Sequence, residues 1–262
     1  MKFDKVLVPV DGSARSELTV ELAIVSANEF GAEVTFLSVV DVSQAGGFGS
    51  VDQAGELMKL DIEATIALDA AEAAAKKAGI KYQIKKATGI PGEIISEMSK
   101  EYNQIILGVT GKTGMRAGHI GRTAAYVIEN SYCPVMTIKF GSKKLETILL
   151  PVDNKHMAAI DVAIESAKRS GAKITVLSIK RENDPSDLVN FVVEKIRSEG
   201  VECEGKIMDG NPAEVIVQQS SYYNLIIMGT EGRSGLRKVL RGSTAEAVVA
   251  NAASGVTIVR DV

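Results

Sequence analysis

The chain has 262 residues, 45% of them hydrophobic and 24% charged, with a formal net charge of -3. That length suits two domains of ordinary size, and the charge balance leaves no electrostatic footprint for nucleic acid. No apolar run approaches the ~18 residues of a membrane span, and Met1 leads into a strand without a signal-peptide core. A soluble cytoplasmic protein, with neither nucleic acid nor membrane as partner, is expected.

In chain order, short β-branched runs at 5–10, 33–40, 81–88, 104–108 and 134–139 read as strands. Helices fill the gaps. The segment after Ser13 has apolar positions at Leu18, Leu22, Ala23 and Val25, and the alanine-rich segment 56–77 has high helix propensity. Near-continuous apolar strands separated by helices predict a parallel sheet covered on both faces, with right-handed crossovers. Cys133 and Cys203 fall in different halves without ligand spacing, so both read as structural thiols. His119 and His156 have no second ligand at helical spacing, which argues against zinc.

The strand-helix series is written twice. "KVLVPVDGS" from Lys5 returns as "TILLPVDNK" from Thr147, and "GAEVTFLSVV" from Gly31 returns as "GAKITVLSIK" from Gly171. "ATGIPGEII" from Ala87 returns as "MDGNPAEVI" from Met208, and "IILGVTGKTGMRAGHIGRTA" from Ile105 as "IIMGTEGRSGLRKVLRGSTA" from Ile226. The offset falls from 142 through 140 to 121, so the first copy carries about twenty extra residues between its second and third strands. The insertion includes "SQAGGFGSVDQAG", rich in small and polar residues, and reads as a loop. The polar, glycine-containing stretch 140–146 reads as the join between domains at 1–141 and 146–262.

In a doubly wound sheet, ligands bind beyond the carboxyl ends of the strands, where neighbouring connections leave for opposite faces. The first strand of each copy ends in an aspartate, Asp11 or Asp153. The fourth ends in Gly108 or Gly229, followed by a glycine-studded loop that enters a helix near Gly121 or Gly242. Glycines let the backbone approach an anion, and the following helix start favours negative charge. An aspartate opposite such a loop can accept hydrogen bonds from a base or ribose, so the pattern points to a nucleotide. It is not a P-loop. "LGVTGKTG" contains Gly-Lys-Thr, but G-x-x-x-x-G-K-[ST] needs glycine at 106, where Ile106 sits within a strand.

"PVDGS", "GTEGRSGLRKVLRGSTAEAV" and the closing "VTIVR" resemble the universal stress protein family, whose ATP-binding members carry G-x2-G-x9-G-[ST]. Gly229, Gly232, Gly242 and Ser243 match that spacing. The resemblance covers nearly the whole chain and implies an α/β fold of two tandem Rossmann-like, adenine nucleotide alpha hydrolase-like domains. Each would be a five-stranded parallel sheet of order 3-2-1-4-5 with helices on both faces. The implied site uses Pro151, Val152 and Asp153 for the nucleoside, and Gly229, Thr230, Gly232, Arg233, Gly242, Ser243 and Thr244 for the phosphates. The first copy supplies Pro9, Val10, Asp11, Gly108, Val109, Gly111, Lys112, Gly121, Arg122 and Thr123. There, Val109 replaces the threonine and Arg122 stands where the second copy has Ser243. A guanidinium at that position either clamps a phosphate or blocks its pocket, so the second copy is the preferred site.

The implied ligand is ATP or AMP, with Mg accompanying ATP, and the leading function is stress-response regulation in which bound nucleotide sets conformation or partner choice. A slow ATPase or phosphotransferase in the same pocket is one alternative, although the sequence offers no Walker lysine, no paired carboxylates beside the loop and no S-G-G-x-D-S stretch. A nucleotide-independent interaction module is another, since glycine also serves simply to turn the chain and Asp11 or Asp153 to cap a helix. The last strands, "PVMTIK" and "GVTIVR", are expected at sheet edges. The resemblance implies that such edges meet, giving an internal pseudo-dimer of the two domains and a homodimer of chains as further expectations.

Overall fold

The structure is a computed structural model and describes residues 3–44, 53–110, 118–138, 144–153, 157–180, 184–230 and 243–260. These fall into two compact units. One holds the described residues between 3 and 133 apart from 118–120, and the other holds those three together with the described residues from 134 onward.

The first unit runs β1 (Lys5–Pro9), α1 (Ala14–Phe30), β2 (Glu33–Asp41), α2 (Gln53–Ala78), β3 (Tyr82–Gly89), α3 (Pro91–Met98), β4 (Gln104–Gly108) and α4 (Arg122–Asn130). Its strands are parallel, in the order β3-β2-β1-β4. The second unit begins with β5 (Val135–Ile138), then β6 (Thr147–Pro151), α5 (Ala158–Ser170), β7 (Lys173–Lys180), α6 (Ser186–Ser198), β8 (Cys203–Asp209), α7 (Pro212–Gln219), β9 (Leu225–Thr230), α8 (Thr244–Asn251) and β10 (Gly255–Arg260). Here the second copy's strands run β8-β7-β6-β9-β10, all parallel, which is the expected 3-2-1-4-5 order. The first copy's last strand, β5, pairs antiparallel with β10, with Met136 opposite Thr257.

The inner strands are apolar along their length because both faces are covered. Leu7, Val8, Phe36, Ile105 and Ile106 are fully buried in the first unit, as are Leu149, Leu150, Ile174 and Ile227 in the second. Two helix pairs supply the cover in each unit, α1 with α2 and α3 with α4, then α5 with α6 and α7 with α8. The α1 contact differs in part from expectation, with Ala23 buried as expected and Leu18 and Leu22 half-buried. Ser16, Thr19, Val20, Ala23 and Ala27 are the buried positions, and Val25 points outward. Small side chains bring this helix close to the sheet, and the Thr19 hydroxyl is satisfied by donating to Arg15 O at 2.8 Å.

The duplication extends to individual hydrogen bonds. Gly31 and Gly171 end α1 and α5 in the left-handed region at φ 66° and 73°, each donating its N–H to the carbonyl four residues earlier at 2.8 Å. That explains the repeated "GA" before each second strand. Buried Ser99 and Ser220 each accept from a backbone N–H after the fourth helix, Tyr132 and Ala253 respectively, at 2.8 Å. Asn103 and Asn224 fasten the start of the fourth strand to that of the first. Lys5 N–H donates to Asn103 Oδ1 at 3.0 Å, while Asn224 Oδ1 accepts from the N–H of Glu146 and of Thr147, both at 2.9 Å, and from Thr147 Oγ1 at 3.1 Å.

Both cysteines are free and buried. Burial pushes the Cys133 thiol up to about 12 and the Cys203 thiol up to about 11, so neither forms a reactive thiolate near neutral pH. Among the described residues, no helix is long and apolar enough to cross a membrane.

Candidate functional site

The carboxyl ends of the first and fourth strands lie side by side in both units, because β1 pairs with β4 and β6 with β9. At the end of β1, Pro9 sits opposite Leu37 and the Val10 N–H donates to Leu37 O at 2.8 Å. The second unit repeats this with Pro151 opposite Leu177 and the Val152 N–H donating to Leu177 O at 2.9 Å. The chain therefore stays in register up to the residue before each aspartate.

Asp11 begins the turn into α1. Its Oδ1 accepts from the Ser13 N–H at 3.0 Å and from Ser13 Oγ at 2.6 Å. Ser13 Oγ in turn caps α1 by accepting from the Ser16 N–H at 3.2 Å. Gly12 provides the left-handed φ of 75° that this tight turn needs. Asp11 is half-buried, while Asp153, whose following residues 154–156 lie outside the described residues, is exposed.

Gly108 closes β4 against the first turn of α1. A Cβ built there would meet Arg15 Cβ at 3.4 Å and Thr110 O at 3.5 Å, ordinary contact distances. The protein's own packing would accept an alanine at this point. Val109 and its counterpart Thr230 are buried. Gly111 and Lys112, and likewise Gly232, Arg233 and Gly242, lie outside the described residues. The loop returns so that the Gly121 N–H donates to Val109 O at 2.8 Å, which sets the start of α4 beside the end of β4.

The two helix starts differ. Ser243 is the N-cap of α8, its hydroxyl accepting from the Glu246 N–H at 3.1 Å, and Thr244 is the first helical residue. Gly121 is the N-cap of α4, without a side-chain cap, and exposed Arg122 and Thr123 open that helix. A cation at a helix N-terminus opposes the macrodipole. Asp41, at the end of β2, lies within reach of that charge. Burial raises its carboxyl, but hydrogen bonds from Ser43 and Gln44 and the charge of Arg122 outweigh that and hold it below the usual carboxylate range.

Asp41 is the residue that sequence reasoning missed. The signal was available as a repeated Asp-x-Ser, since "DVS" at 41–43 makes the same Asp–Ser hydrogen bonds as "DGS" at 11–13, on a backbone without the positive φ of Gly12. Ser43 N–H and Ser43 Oγ donate to Asp41 Oδ1 at 3.0 and 2.6 Å. Among the described residues, no group of three or more His, Cys, Asp or Glu side chains is arranged to hold a metal ion. Among the described residues the arrangement thus offers carboxylates at strand tips beside Gly108 or Gly229 and the positive end of a helix, without such a cluster of acidic or histidine side chains.

Comparison with known proteins gives a consistent result. The universal stress protein family profile matches residues 2–139 and 190–260. A universal stress protein of Methanocaldococcus jannaschii is 36% identical over 147 residues, covering 54% of this chain and 85% of its own. One from Synechocystis sp. is 24% identical over 273 residues, covering 93% of this chain and 95% of its own. The crystal structure of a universal stress protein from Archaeoglobus fulgidus matches with a TM-score of 0.86 at 21% identity, covering 99% of each chain.

Proposed function

The chain belongs to the universal stress protein family, and on that premise we propose that it is an adenine-nucleotide-binding regulatory protein whose second repeat holds the ligand. Pro151, Val152 and Asp153 would take the nucleoside. Gly229, Thr230, Gly232, Arg233, Gly242, Ser243 and Thr244 would cradle the phosphates of ATP or AMP. ATP would bring Mg, which the phosphates themselves could hold in large part. Bound nucleotide would then set conformation or partner choice, in the cytoplasm, as part of a stress response.

The observation that carries this reading is the pairing of β6 with β9, which sets the Asp153 end of one strand beside the Gly229-Thr230 end of the other. The capped N-terminus of α8 then follows the G-x2-G-x9-G-Ser loop, which suits a phosphate through its N–H groups and dipole. The first repeat itself we read as unsuited to a triphosphate, with the Arg122 guanidinium at the helix start where the second repeat has the Ser243 hydroxyl. The same edge pairing of β5 with β10 supports an internal pseudo-dimer of the repeats.

Heat-denaturing the purified protein and identifying released nucleotide by mass tests the proposal. One adenine nucleotide per chain is expected. Protein that releases none, and binds none when ATP or AMP is added back, contradicts it.

A further inference from the structure

The loop that follows β4 leaves the first unit before it returns. Gly118, His119 and Ile120 belong to the second unit, and Gly121 re-enters the first as the N-cap of α4. Gly118 marks where the loop rests. A Cβ built there would lie 3.3 Å from Asn251 Oδ1, tighter than ordinary side-chain contact, and its φ of 87° is in the left-handed region that favours glycine. Asn251 is the last residue of α8 and is held in place, because its Nδ2 donates to Ala247 O at 2.8 Å. The matching position in the second repeat is Val239, so the glycine at 118 serves this contact and is no part of the repeated loop pattern.

The two ends of α8 therefore reach the loops of both repeats. At its N-terminus Ser243, the last residue of the second repeat's G-x2-G-x9-G-Ser loop, accepts from the Glu246 N–H at 3.1 Å. Between Ser243 and Asn251 the helix has eight residues and is about 12 Å long. It is one hydrogen-bonded body, seated on fully buried Val248 and Val249. Three residues after Gly118, the Gly121 N–H donates to Val109 O at 2.8 Å, which ties the same loop to the end of β4. We propose that α8 couples the repeats, so that a nucleotide whose phosphates engage its Ser243 end releases Gly118 from Asn251 and frees the first repeat's loop. The proposal rests on nucleotide binding in the second repeat. A phosphate competes with Ser243 Oγ for the N–H groups of the first turn, and so favours an arrangement of α8 other than the one in which Ser243 caps it and Asn251 holds Gly118. Differential affinity of that kind is what coupling requires.

Calorimetry with ATP and amide NMR of the full chain test it. ATP should shift the Gly118, His119 and Ile120 amide signals with the midpoint of the calorimetric titration, and Gly242→Val should abolish both. Coupling is reciprocal, so Asn251→Ala and Gly118→Val, which each break the contact, should tighten ATP binding by ~5-fold at an unchanged one site per chain. Gly79→Val is the control. Gly79 has a similar left-handed φ of 69° with nothing within 4 Å of an added Cβ, so it carries the strain without the contact and should leave affinity unchanged. ATP binding in the second repeat with unmoved loop signals overturns the coupling alone, as does unchanged or weaker binding in Asn251→Ala, or tightening in Gly79→Val equal to that in Gly118→Val. A native chain that binds no ATP, or binds it equally well as Gly242→Val, removes the premise and the proposal together.

Discussion

Replacing Asn224 with alanine removes one oxygen that gathers three donors, the N–H groups of Glu146 and Thr147 and the Thr147 hydroxyl, at 2.9, 2.9 and 3.1 Å. Glu146 is exposed, so water readily replaces its bond, but Thr147 is half-buried and leads directly into the buried core of β6. Counting about 1 kcal/mol for each bond at Thr147 and little for Glu146 gives a loss of about 2 kcal/mol. At the matching position in the first repeat, Asn103 Oδ1 accepts a single bond from the exposed Lys5 N–H, so Asn103→Ala should cost only about 0.5–1 kcal/mol. Asn224→Asp keeps the accepting oxygen and should lose much less than Asn224→Ala. Urea unfolding of the three variants measures the differences directly. An Asn224→Ala loss no larger than that of Asn103→Ala, or an equal loss in Asn224→Asp, would refute the claim that this oxygen seats β9 beside β6.

Arg122→Ser should leave stability within about 1 kcal/mol, because relief of the helix dipole offsets the lost attraction to Asp41. It should also raise the count of bound nucleotide from one to two per chain in a calorimetric titration. A count that stays at one would show that Arg122 is not what closes the first repeat. The lowered pKa of Asp41 contributes stability that is present above its unfolded value near 4 and is lost as pH falls through the lower folded value. Asp41→Asn should accordingly flatten the acid limb of the stability–pH curve, and an unchanged limb would exclude that contribution. Gly205→Ala would set a Cβ 2.5 Å from Val189 Cγ1, beneath α6, and should destabilise the second unit by about 1–3 kcal/mol in urea unfolding.

Much of this fold is legible in the sequence because the chain is written twice, so that each strand or glycine can be checked against its counterpart. The runs at 104–108 and 56–77 fall on β4 (Gln104–Gly108) and within α2 (Gln53–Ala78). Periodicity placed Ala23 correctly but rotated the α1 stripe, because it weighs Leu18, Leu22 and Val25 by hydrophobicity, whereas the sheet also takes Ser16, Thr19, Val20 and Ala27, mostly small side chains. The antiparallel pairing of β5 with β10 is set by tertiary contact and leaves no mark in "PVMTIK" beyond its β propensity. Asp41 escaped for a related reason. Its nearness to Arg122 depends on how β2 and the loop before α4 are brought together, across a sequence separation that no local pattern spans.

Calorimetric titration of nucleotide-free protein with ATP and with AMP, for the native chain and for Gly242→Val, tests nucleotide binding in the second repeat most directly. One site per chain in the native protein, abolished by Gly242→Val without loss of secondary structure, is the expected result. Unchanged stoichiometry and affinity in Gly242→Val would move the ligand to the first repeat and contradict the assignment.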